Sequence, residues 1–117
     1  MFISKFISKV IGPKREWWQY KARARQLPAS YRTALDALER YLMYLGGGDD
    51  GTAMCEDLVD LFEQSAANRT PLRQIVGEDP VEFIETFVRN YPNGTWIIRE
   101  RERLTNAIER AAGEEAR

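Results

Sequence analysis

SYRTALDALERYLMYL, residues 30–45, is the stretch that decides the fold. Tyr31, Ala34, Leu35, Leu38, Tyr41, Leu42 and Leu45 recur there at steps of three and four, which lays them along one broad stripe of a helix. Ser30 is placed to cap the start of that helix, and Gly46-Gly47-Gly48-Asp49-Asp50-Gly51 ends it with the longest flexible link in the chain. No stretch elsewhere sustains the apolar–polar alternation of a strand.

Towards the N-terminus, Leu27-Pro28 breaks off a helix expected from about Pro13 to Gln26, which carries Trp17, Trp18, Tyr20, Ala22 and Ala24. Gly12-Pro13 separates it from a short amphipathic start over residues 1–12. There Phe2, Ile3, Phe6, Ile7, Val10 and Ile11 repeat at helical spacing opposite Ser4, Lys5, Ser8 and Lys9. Towards the C-terminus, Thr52 is expected to cap a helix reaching about Ala67, with Met54, Cys55, Leu58, Leu61, Phe62 and Ala66 on one side. Thr70-Pro71 opens a helix of two turns that Gly77 stops. Asp79-Pro80-Val81-Glu82 repeats the device with Glu82 placed to complete a capping box, and the helix it starts is expected to bury Val81, Phe83 or Ile84, Phe87 and Val88. After Tyr91-Pro92-Asn93-Gly94, Thr95 caps a last helix through Trp96, Ile97, Leu104, Ile108 and Ala111. Its Arg99–Arg103 run reads as a solvated face, and residues 113–117 as a frayed tail. The expectation is an all-α chain: one domain over residues 1–117, a compact bundle of about five helices plus the short amphipathic N-terminal helix.

The charges are sorted along the chain. Residues 1–25 carry seven Lys or Arg against Glu16, whereas residues 36–85 carry twelve Asp or Glu against Arg40, Arg69 and Arg73. A net charge of −1 thus hides a basic, aromatic-rich end joined to an acidic body, an asymmetry that points to contact partners. A pI of 5.6 argues against general nucleic-acid binding. The single cysteine, Cys55, excludes an internal disulfide and suits a reducing compartment. No apolar run is long enough to cross a bilayer, and the lysines at 5, 9 and 14 interrupt anything like a secretory signal, so a cytoplasmic location is expected. The chain has no histidine. That removes Ser–His and Cys–His nucleophile pairs, and one cysteine without histidine cannot make the usual zinc sites.

Several motifs in order resemble a family of small bacterial helical proteins. They are Leu27-Pro28-x-x-Tyr31, Ala37-Leu38-x-x-Tyr41, the link Gly48-Asp49-Asp50-Gly51, the run Glu56-Asp57-Leu58-Val59-Asp60-Leu61-Phe62-Glu63, and Ile75-Val76-Gly77-Glu78-Asp79-Pro80 followed by Phe83. The family is the domain of unknown function numbered ten forty-eight, and the resemblance covers roughly residues 5–108. It implies a compact helical fold, a bacterial cytoplasm, no known catalytic residues, and genes often placed beside PadR-type transcriptional regulators. It carries over an association, not a mechanism.

The candidate sites are surfaces. Phe2 and Phe6 head an apolar stripe that could pack on its own domain, on a partner or on a membrane interface. Trp17 and Trp18 stand among Lys14, Arg15, Lys21, Arg23 and Arg25, a mixture suited to a protein interface or to stacking on bases. Adjacent tryptophans point about 100° apart on a helix, so at most one can be fully in a core. Asp57, Asp60 and Glu63 recur at three-residue spacing, close enough to share an ion or a basic partner surface. An EF-hand alignment on Gly51 fails, because it puts Gly46 and Gly48 where acidic ligands belong. Glu82 and Glu85 are the remaining carboxylates to weigh as acid–base groups, and Cys55 on its apolar stripe reads as a buried thiol.

The expected function is a non-enzymatic protein-interaction module with no cofactor, no metal and no catalytic residue. Its partner would be a PadR-type regulator or a second copy of itself. The alternative is a peripheral membrane or nucleic-acid accessory acting through the basic aromatic N-terminal segment.

Overall fold

The computed structural model describes residues 15–46, 50–92 and 95–116. They form six helices and no strand: α1 over 15–25, α2 Ala29–Leu45, α3 Gly51–Ala67, α4 Leu72–Val76, α5 Pro80–Val88 and α6 Trp96–Glu115. The all-α bundle expected from the sequence is what the chain adopts. The amphipathic stretch of residues 1–12, with Phe2 and Phe6, lies outside the described residues.

α1, α2 and α3 build the core. The stripe of α2 buries Leu35, Leu38, Leu42 and Leu45, and α3 answers with Met54, Leu58, Val59 and Phe62. α1 adds Tyr20 and Ala24. Tyr31 of α2 meets the Phe62 ring edge-on at 6.3 Å, and its hydroxyl donates to the Thr70 carbonyl, which ties the start of α2 to the end of α3. α5 then contributes Ile84 and Val88, and α6 contributes Ile98.

Several boundaries differ from the sequence reading, each for a local reason. α2 begins at Ala29 with Pro28 at the cap position, so Ser30 lies inside the first turn. α3 begins at Gly51 after Asp50, which leaves Thr52 helical. Asp79 caps α5 as expected, its Oδ1 accepting from the backbone N–H groups of Val81 and Glu82 at 3.1 Å. Val81, expected inside, stays about half exposed, because the buried face of α5 is set by Ile84 and Val88. Gly46 and Gly77 end their helices with φ of +76°, a conformation that only glycine adopts without a Cβ penalty.

α6 departs furthest from expectation. Its first turns are held by Ile98, by Arg101 on Glu85 at 3.0 Å and by Arg89 on Glu102 at 2.9 Å. Beyond Glu102 every described side chain is exposed except Ala107, which is half-buried. Leu104 and Ile108, read from spacing as part of the apolar stripe, are 64% and 61% exposed. The helix also continues through Gly113 to Glu115, where the sequence suggests fraying.

Candidate functional site

The basic end and the acidic body meet each other. Helical spacing on α1 aims Arg23 at the face of α3 where Asp60 and Glu63 follow one another by one turn. Arg23 Nε donates to Glu63 Oε2 at 3.2 Å, and its Nη2 donates to Glu63 Oε1 at 2.5 Å and to Asp60. This fork raises the guanidinium above its ordinary value, chiefly through the hydrogen bond to Glu63. All three side chains stay more than a third exposed, so the clasp orients α1 on α3 and adds at most about 1 kcal/mol.

A second, more enclosed cluster lies one turn earlier. Lys21 Nζ donates to Glu39 Oε2 at 2.8 Å and sits 5.2 Å from the centre of the Trp17 ring. Glu39 is buried and its Oε1 has no partner. The Tyr20 hydroxyl and the Cys55 thiol lie in the same neighbourhood, and burial pushes both upward first, with the Glu39 charge adding to each. Cys55 is pushed up to about 11, so at neutral pH it is a protonated, unreactive thiol. A shallow groove opens over this cluster, lined by Trp17, Leu42, Met43, Thr52 and Cys55 among others. Its volume of about 230 Å³ is below the ~300–1,000 Å³ of ordinary ligand pockets.

Two of the three remaining candidate carboxylates are also engaged, whereas Glu82 stands exposed at the start of α5. Asp57 accepts from the Tyr91 hydroxyl, and Glu85 accepts from the Tyr41 hydroxyl at 2.7 Å and from Arg101. Burial raises the Tyr91 phenol most, with Asp57 next; the hydrogen bond to Glu85 is the largest cause of the rise at Tyr41. Among the described residues no three acidic or thiol side chains converge closely enough to hold a metal ion. The structure therefore brings Arg23, Asp60 and Glu63 together, sends Asp57 to a different partner, and splits the tryptophans. Trp17 packs on the core and Trp18 is 61% exposed.

Sequence reasoning missed the exposed apolar side chains elsewhere. Met43 and Tyr44 at the end of α2, and Trp96 at the start of α6, all face outward. Tyr44 and Tyr41 rings lie 5.8 Å apart and line a groove with Ala37, Arg40 and Arg101 at the foot of α6. One signal was available: α2 carries more apolar residues than a single stripe can bury, so some had to face out.

These features define a small all-α protein whose polar groups serve mainly to fasten helix to helix. The chain belongs to the family described as "Protein of unknown function (DUF1048)", whose sequence model matches residues 8–109. No curated protein matches it. Neither the family description nor the helical fold gives a sign of enzymatic activity, and no helix of the described residues is long and apolar enough to cross a membrane.

Proposed function

We propose that this chain is a non-enzymatic, cytoplasmic protein-interaction module that binds a protein partner, either a PadR-type regulator or a second copy of itself. One observation carries the reading: Lys21, Arg23, Asp57, Asp60, Glu63 and Glu85 are engaged internally, while Trp18, Met43, Tyr44 and Trp96 remain exposed on a body too small to spare them. Tryptophan, tyrosine and methionine are the residues that concentrate binding energy at protein surfaces. The charge pattern along the chain then serves the fold first, and partner binding rests on apolar contact. The nucleic-acid alternative loses support from the same geometry, since Lys21 and Arg23 are already occupied by Glu39, Asp60 and Glu63.

The test is affinity capture of the tagged full chain from its native cells, at low and at moderate salt, beside a Trp18→Ala/Tyr44→Ala variant. A PadR-type regulator, or untagged copies of the chain, should be retained at both salt concentrations and lost with the variant. Capture of nothing, together with binding of the purified protein to anionic vesicles or to duplex DNA, would overturn the reading.

A further inference from the structure

α1 and α3 both begin where α2 ends, and the shallow groove over Cys55 lies at that end of the bundle. Trp17 of α1, Leu42 and Met43 of α2, and Thr52 and Cys55 of α3 line it. Its rim is apolar and open: Met43 is 58% exposed, although it stands next to buried Leu42. A volume of about 230 Å³ is small for a free ligand. It accommodates a large apolar side chain brought in by a neighbouring segment.

The way the chain enters the bundle names that segment. The described residues begin at 15, two residues before Trp17, so residues 1–14 reach the body at the lip of this groove. Gly12-Pro13 supplies a turn just ahead of α1. Before the turn, Phe2, Ile3, Phe6, Ile7, Val10 and Ile11 offer a stripe of large apolar side chains. A stripe on so short a tether faces the groove at an effective concentration of the order of millimolar, ahead of any separate partner. Charge agrees. Lys5 and Lys9 stand off the stripe, and Lys14 follows the turn. Asp36 lies two turns before Met43 on the same flank of α2, and Glu56 one turn after Thr52 on α3, so acids stand on both sides of the groove. Lys21 beside it is already paired with Glu39, and Arg40 lines the separate groove with Tyr44.

We propose that the chain's own residues 1–12 turn back at Gly12-Pro13 and seat their apolar stripe on this groove, covering Met43. The seating keeps that stripe from a lipid surface. It also leaves a partner Trp18, Tyr44 and Trp96; this narrowing rests on the reading of the chain as an interaction module, whereas the docking itself does not.

The test is amide hydrogen exchange of the purified full chain at ~1 and ~100 µM, a range over which micromolar association between copies would show. Peptides from residues 2–11 should exchange ~10-fold or more slowly than a free peptide of the same sequence, and equally at both concentrations. Met43→Lys/Thr52→Lys, which changes no core side chain, should restore fast exchange there and leave α2 and α3 protected. Conversely, Phe6→Ser/Ile7→Ser should let dilute hydrogen peroxide oxidise Met43 several-fold faster than in the wild type. If the lysine pair unfolds the bundle, the oxidation comparison decides alone. Fast wild-type exchange in residues 2–11, including exchange that slows only on anionic vesicles, would overturn the inference. So would protection that vanishes on dilution, protection untouched by the lysine pair, or equal Met43 oxidation in the two proteins. Neither measurement involves a partner, so failure here leaves the interaction module standing.

Discussion

The seam that α1 makes with α2 and α3 and the outer half of α6 are built from the same residue types and end in opposite states. At the first, Arg23 finds Asp60 and Glu63, Lys21 finds Glu39, and Tyr20 and Phe62 are buried beneath them. At the second, arginines and glutamates alternate around Leu104 and Ile108, and the apolar pair faces water. Composition does not separate the two. What separates them is whether a neighbouring helix arrives within reach, and that is settled by the links: Leu27-Pro28 folds α1 back onto the bundle, while nothing in the described chain returns over α6.

Substitutions can break this contrast, and the largest effect belongs in the core. Phe62→Ala should cost about 3–5 kcal/mol in urea unfolding, because a fully buried ring leaves a cavity. Lys21→Met should follow at about 2–3 kcal/mol, less than for a fully enclosed pair since Lys21 is a quarter exposed, by stranding the Glu39 carboxylate inside. Adding Glu39→Leu should recover most of that loss, because one carboxylate oxygen has no partner even in the intact protein. Arg23→Met should cost about 1 kcal/mol or less and the difference should shrink in high salt.

Cys55 supplies a pH-dependent test of the enclosed side. Its folded value lies above its ordinary value of 9.0, at about 11, so the fold favours the protonated thiol. The associated stability is fully present below pH 9 and is lost as pH rises from 9 to 11. Wild-type stability should therefore fall more steeply over that window than the stability of Cys55→Ala. At the opposite extreme, Leu104→Ala in dilute protein should change stability by no more than about 0.5 kcal/mol, the range for exposed positions. A loss as large as that at Phe62 would mean that the helix is packed on its own domain.

How far the sequence could be read follows the same division. Helix positions were legible wherever a proline or glycine stop flanked a strong stripe, as at Leu27-Pro28, Gly46 and Asp79-Pro80. The exact starts of α2 and α3 were not, since Ser30 and Thr52 lie two residues beyond Pro28 and Asp50, the cap positions, where no side chain caps the helix. The sorted charges were visible, but spacing along one helix cannot say that Arg23 will close on Asp60 and Glu63, some forty residues away. The apolar stripe of α6 was equally visible, and periodicity alone cannot tell a face that meets its own core from one that meets something else. The split of Trp17 from Trp18 was readable from the helical turn itself.

The way α6 is fastened has a mechanical consequence. Its 20 residues span about 30 Å, and the fastenings lie within the first two turns, at Ile98, Arg101 and Glu102. The helix is a cantilever: rocking by about 5° at the root sweeps the free end through roughly 2–3 Å. Glu85 of α5 and Arg89 just past its end, which grip it, thus act as the fulcrum, and any movement of α5 on the bundle is delivered, magnified, at the tip.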